Sequence, residues 1–288
     1  MKPYLYLLFA LLLTACGSKP KAEDKKPAIT VSIEPLRHFA EAIAGDRFRI
    51  VSLVPEGSSP ETYDPTPQQM VALNQSRAFL RAGYIGYELT WTDKLKQNAP
   101  DVPFFNLSEG ITLINETKEE AHAHHGGVEP HTWNSVRNAY TISANICQAL
   151  CQIDPEHKEE YMTRFTRLGT SLKQTDEKIL ACLEKGEKSF LIYHPALSYF
   201  ARDYGLTQIS IEEGGKEPSP AQLKALINRC REQHVRVVFV QKEFDTRNAE
   251  MIAQELDVPI VTINPLSYRW EEEMLHVARA LSEPAKQP

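Results

Sequence analysis

The stretch Asp154 to Lys185, DPEHKEEYMTRFTRLGTSLKQTDEKILACLEK, constrains the fold more than any other part of the chain. Its apolar side chains Tyr161, Phe165, Leu168, Leu172, Ile179, Ala181 and Leu183 recur mostly three or four residues apart, which places them on one helical face. Asp154 can act as the N-cap, and Pro155 fits the first helical position, where its missing N–H costs nothing. A helix from Pro155 to Leu183 makes a rod of about 43 Å. That is long for a helix inside one small domain, and Gly169 is its only glycine before the C-terminal end. The rod reads as a stiff strut between two bodies.

Strand-like and helix-like segments alternate on both sides of it. Before the strut, Ile29–Ile33, Phe48–Val54, Ala78–Ala82 and Val102–Leu107 read as strands, with helices over Glu34–Gly45, from Thr66 onward and around Tyr87–Gln97. After it, Ser189–Tyr193, Leu206–Ile211, Val235–Gln241 and Pro259–Asn264 read as strands, with a helix over Arg247–Leu256. Thr66-Pro67-Gln68-Gln69 and Ser219-Pro220-Ala221-Gln222 both supply an N-cap, an N1 proline and a capping-box Gln. Such alternation predicts α/β architecture with mainly parallel sheets. The expected organisation is two (β/α)4 lobes, residues 28–154 and 185–288, joined by a backbone helix over 155–184. In such folds ligands bind beyond the carboxyl ends of the strands.

The N-terminus lies outside this plan. Lys2, an apolar run from Tyr4 to Leu13 and then Leu13-Thr14-Ala15-Cys16-Gly17 make a signal peptide over residues 1–15, too short to span a bilayer. The pattern resembles a bacterial lipoprotein signal, with Cys16 as the lipidated residue and 16–27 as a flexible tether; the alternative is an ordinary secretory signal with an incidental cysteine. Export makes disulfides admissible among Cys147, Cys151, Cys182 and Cys230, but four cysteines allow three pairings and spacing does not choose. Cys182 with Cys230 is one candidate. Cys147 and Cys151 fit one helical turn and read as small buried thiols rather than a soft-metal site. Net charge is −6 with no basic stripe, so nucleic acid is not an expected partner.

Three loops carry metal-ligand chemistry: Glu61 in SSPETYDPTP, the tract AHAHHGGVEPHTW and His194 in LIYHPALSYF. Four of the nine histidines, His122, His124, His125 and His131, fall within ten residues. Separations of about 70 and 63 residues between Glu61, His131 and His194 exclude a zinc finger, whose paired ligands lie a few residues apart, and suit a site assembled between lobes. Imidazole with carboxylate suits zinc, and also manganese or iron.

Taken together, SSPETYDPTP, EPHTW, YHPALSYFARDYGL, EGGKEPSPAQL and NPL resemble the metal-binding lipoproteins of bacterial ABC uptake systems for zinc and manganese, in the same order over residues 28–285. The resemblance implies two (β/α)4 lobes joined by one long helix, with the metal in the cleft between them. It further implies a permease partner, a lipid anchor on the extracytoplasmic (in a diderm, periplasmic) face of the membrane and a monomer that is not an enzyme. Residue by residue, it maps ligands onto His131 and His194, and His122, His124 and His125 onto the metal-gathering loop typical of zinc members. Where the family's first motif has histidine, this chain has Glu61. Only SYRWEEE separates Leu266 from Met274, too short for the loop that presents an Asp ligand in manganese members. Water or a nearby carboxylate is therefore the expected fourth ligand. The expected cargo is Zn2+, with Mn2+ or Fe2+ as the alternative. A zinc hydrolase shares the His/His/Glu set but would normally bring a motif such as H-E-x-x-H, which is absent. A lipid-anchored adhesin or metal buffer is a further alternative.

Overall fold

The computed structural model describes residues 26–115, 127–184, 186, 188–212, 216–242, 244 and 246–282. The signal peptide, Cys16, most of the tether and His122, His124 and His125 lie outside the described residues.

Each lobe holds one four-stranded, wholly parallel sheet. The first uses β1 (Ala28–Val31), β2 (Arg49–Ser52), β3 (Phe79–Arg81) and β4 (Phe104–Asn106) in the order β2-β1-β3-β4. The second uses β5 (Ser189–Ile192), β6 (Thr207–Ser210), β7 (Val238–Gln241) and β8 (Ile260–Ile263) in the order β6-β5-β7-β8. The two orders are equivalent, so the lobes repeat one topology. Connecting helices in the first are α1 (Glu34–Ala44), α2 (Pro67–Asn74) and α3 (Gly86–Asn98). Next come α4 (Val136–Ile153) and α5 (Lys158–Leu183), then α6 (Ser198–Tyr204), α7 (Pro220–Glu232), α8 (Arg247–Leu256) and α9 (Trp270–Ser282). Both expected capping boxes form, Thr66 with Gln69 and Ser219 with Gln222.

The strut differs from expectation at its start. Pro155–His157 is a single 3-10 turn, and α5 proper has 26 residues, about 39 Å. Asp154 offers no side-chain cap to the turn. Its carboxylate instead accepts from Tyr161 Oη–H at 2.5 Å and lies 2.9 Å from His157 Nδ1. Arg47 approaches the same carboxylate at 3.4 Å. The buried stripe runs through Tyr161, Leu168, Leu172, Thr175, Ile179 and Leu183, whereas Ala181 is exposed.

The strut is also not bare. Helices α1, α4 and α9 pack along it. Its buried residues join Phe39, Ile146, Phe190, Phe239, Trp270 and Met274 in one core that runs through both lobes. A second core, with Leu191, Ile209, Cys230, Val238 and Ile252, fills the other face of the second sheet. All four described cysteines are free: Cys230 lies in the second core and Cys182 packs against the first, so the candidate Cys182–Cys230 disulfide does not form. Burial pushes the Cys147 and Cys230 thiols up to about 11, which keeps them unreactive. Among the described residues, no helix is long and apolar enough to cross a membrane.

Candidate metal centre

Parallel strands bring the carboxyl ends of both sheets to the cleft, and all three expected ligands lie there. Glu61 sits in the loop that follows β2, His131 between β4 and α4, and His194 just past β5. One ligand atom from each lies within 4.8 Å of those from the other two. His131 Nε2 is 3.4 Å from His194 Nε2 and 3.8 Å from Glu61 Oε1.

The opposite edge of each imidazole faces a carboxylate. His131 Nδ1 lies 2.6 Å from Glu129 Oε1, and His194 Nδ1 lies 3.0 Å from Glu212 Oε2. An ionised carboxylate only accepts, so Nδ1 carries the hydrogen on both rings. In the neutral imidazoles that leaves both Nε2 lone pairs aimed into the cleft. The third member, Glu61 Oε1, is buried with no hydrogen-bond donor. Three acceptors converging on one point repel each other unless a cation stands between them. A tetrahedral ion with bonds of about 2.05 Å would set neighbouring ligand atoms about 3.3 Å apart, close to the separation of the two Nε2 atoms.

Glu129 is almost fully buried. Burial alone would raise its pKa, but the His131 imidazole, the His131 main-chain N–H and the Ser198 hydroxyl hold it below the usual carboxylate range. Glu61 is held from the other side. Gly86, the first residue of α3, donates its N–H to Glu61 Oε2 at 3.3 Å, at the helix end where a negative charge is favoured. Gln241, at the end of β7, brackets His194 by donating Nε2–H to its carbonyl at 2.8 Å and accepting its N–H at 3.4 Å.

The walls are largely apolar. Phe244 stacks on His194 with ring centres 5.1 Å apart, and Trp133 meets His131 edge-on at 5.3 Å. Pro60, Ala196, Pro265 and Leu266 complete a cavity of about 40 Å³, room for an ion and a few waters rather than an organic ligand. Low polarity strengthens charge interactions inside it. Among the described residues, no fourth His, Cys, Asp or Glu joins the group. In the segment between Leu266 and Met274, Glu271 accepts from Ser171, Glu272 pairs with Arg269, and Glu273 accepts the Asn264 N–H.

Sequence reasoning reached the three converging residues but missed Glu129, Glu212, Gly86 and Phe244. Glu129 was visible two residues before His131 in EPH, and Glu212 at the end of the β6 strand pattern. Neither carries a spacing signal of its own, because each contact is made across a loop or between strands.

The profile of the family described as zinc-uptake complex component A, periplasmic (ZnuA), matches residues 29–283. The metal ABC transporter substrate-binding lipoprotein FimA of Streptococcus parasanguinis is 28% identical over 272 residues, covering 89% of this chain and 85% of that protein. The high-affinity zinc uptake system protein ZnuA of Bacillus subtilis is 27% identical, covering 91% and 87% respectively. The manganese ABC transporter substrate-binding lipoprotein PsaA of Streptococcus pneumoniae is also 27% identical, covering 89% and 85%. Among solved structures, a crystal structure of ZnuA superposes with a TM-score of 0.83 at 32% identity, covering 89% of this chain and 98% of that one. A two-lobed parallel α/β fold, a backbone helix and a sequence match over nearly the whole described chain agree: the protein belongs to the ZnuA family of metal-binding substrate-binding proteins of ABC transporters.

Proposed function

We propose that this protein captures Zn2+ between its lobes with Glu61, His131 and His194 and delivers it to the permease of an ABC transporter. On this reading it works as a monomer held at the extracytoplasmic face of the membrane by a lipid on Cys16, and His122, His124 and His125 gather metal ahead of the cleft. It transports and does not catalyse.

The observation that carries the reading is the convergence of two Nε2 atoms and one carboxylate oxygen, with both Nδ1 atoms turned to carboxylates. This arrangement orients the rings and raises their basicity toward a metal. Glu129 and Glu212 are engaged with the imidazoles, so water completes a four-coordinate ion. The test is calorimetric zinc titration of the wild type and of His131→Ala. Tight binding that survives unchanged in the variant removes the site.

A second reading, Mn2+ as cargo, is favoured by the carboxylate at position 61, since oxygen donors suit manganese. Competition between the two metals for the purified protein separates the readings.

A further inference from the structure

We propose that Glu129 is the positioning residue of the metal centre: its carboxylate fixes the tautomer of His131 and ties that ring to the segment carrying His194. The inference rests on the metal-binding reading above and assigns a role to a residue that is not itself a ligand.

Glu129 accepts four hydrogen bonds with a clear division of labour, and its own main-chain N–H donates to the Ile114 carbonyl at 3.0 Å. Its Oε1 accepts twice from His131, from the main-chain N–H at 2.8 Å and from Nδ1–H at 2.6 Å. Its Oε2 accepts the Ser198 hydroxyl at 2.7 Å, and its carbonyl accepts the Tyr199 hydroxyl at 2.9 Å. Ser198 and Tyr199 open α6, four and five residues after His194. Ser198 is itself fixed by Gln208 Nε2–H at 2.9 Å. A second tie runs alongside: Asn134 Nδ2–H donates to the carbonyl of Ala196 at 3.0 Å.

His131 belongs to the first lobe, where the neighbouring Thr132 hydroxyl lies 2.9 Å from the Ser108 hydroxyl, and these contacts tie it to the second lobe as well. The third ligand has a different anchor. Glu61 is held by Gly86 of α3, in the first lobe. The two imidazoles are therefore tied to each other across the cleft as a preset pair, and the carboxylate is held separately, within the first lobe. Presetting matters because a ligand already in the bound geometry loses less freedom on binding. It also selects the tautomer that leaves Nε2 able to bond a metal.

The test combines zinc affinity, from competition with a chromophoric chelator, with the tautomer of His131 in the metal-free protein, from long-range 1H–15N correlation spectra. Glu129→Ala is expected to lose roughly 10–100-fold in zinc affinity and to move His131 from the Nδ1–H toward the Nε2–H form. Glu129→Gln, whose carbonyl oxygen still accepts from the ring, is expected to keep Nδ1–H and recover most of the affinity. A folded Glu129→Ala protein with Nδ1–H and wild-type affinity overturns the proposal. If Glu129→Ala does not fold, Ser198→Ala carries the test. It is expected to lose several-fold in affinity with Nδ1–H retained, and wild-type affinity there overturns the tie to α6. Should His131→Ala bind zinc as the wild type does, the metal-binding reading fails, while the tautomer measurement still decides whether Glu129 sets the ring.

Discussion

A Cβ on Gly86 would stand 2.4 Å from the carbonyl oxygen of Glu61 and 3.0 Å from its Oε2, so the two residues lie together only because position 86 has no side chain. The nearer atom is backbone and cannot swing away. In Gly86→Ala the Glu61 loop must shift, at a cost of about 1–3 kcal/mol for forced overpacking. Zinc affinity should fall at least tenfold, read by chelator competition, with the protein still folded by circular dichroism. Unchanged affinity would show that the position of Glu61 is not set by α3.

In the resemblance read from the sequence, Glu61 takes the place of a histidine. Its carboxylate takes the N–H of Gly86 at the positive end of α3, so the departure is accommodated locally. Glu61→His exchanges an oxygen donor for imidazole, which suits zinc better than manganese. The ratio of zinc to manganese affinity should rise at least tenfold in direct competition. A ratio that stays constant would mean that position 61 does not reach the metal.

The two-lobe plan was legible because strand and helix periods alternate and because proline, Ser/Thr and Gln mark helix starts at Thr66 and Ser219. The three converging residues were legible because Glu61, His131 and His194 fall in SSPETYDPTP, EPHTW and the YHP segment after β5, motifs shared with the resembled family. What escaped depends on distant packing. The stripe on α5 passes through Thr175 rather than Ala181, since polarity alone does not reveal which side meets α9. The role of Glu129 is invisible without Ser198, which is 69 residues away. Asp154 looked like a cap, but Tyr161, His157 and Arg47 draw its carboxylate off the helix end.

Gly169 offers a test of the strut. A Cβ there would meet Tyr140 Cε2 at 3.0 Å, so the glycine marks where α4 and α5 approach closely. The Tyr140 side chain is about half exposed and can turn outward. Alanine also gains up to about 1 kcal/mol of helix propensity over glycine. Gly169→Ala should therefore leave the melting temperature unchanged or raise it slightly, with wild-type zinc affinity. A large loss of affinity would instead make this position a hinge on which binding depends.

Beneath the Glu61 loop, Glu88 is wholly buried at the start of α3. It accepts the Ser32 hydroxyl in a short contact, the Ala82 N–H at 2.8 Å and the Gly83 N–H at 2.6 Å. Burial raises its pKa, and those donors, with Arg81, only partly offset the rise. A folded value above the unfolded one means that the protonated acid favours folding. That contribution is fully present below the unfolded carboxyl value and is lost as pH rises through the folded value. Glu88→Gln cannot titrate, and its NH2 end sets a donor against a backbone N–H, which costs about 1–3 kcal/mol. The variant should melt below the wild type at acid pH, and the gap should narrow as pH rises, because the Glu88 contribution is lost in the wild type alone. Melts between pH 4 and pH 8 measure this, and a gap that widens with pH would contradict it. Since the first turn of α3 carries both Gly86 and Glu88, zinc affinity in Glu88→Gln should fall together with stability.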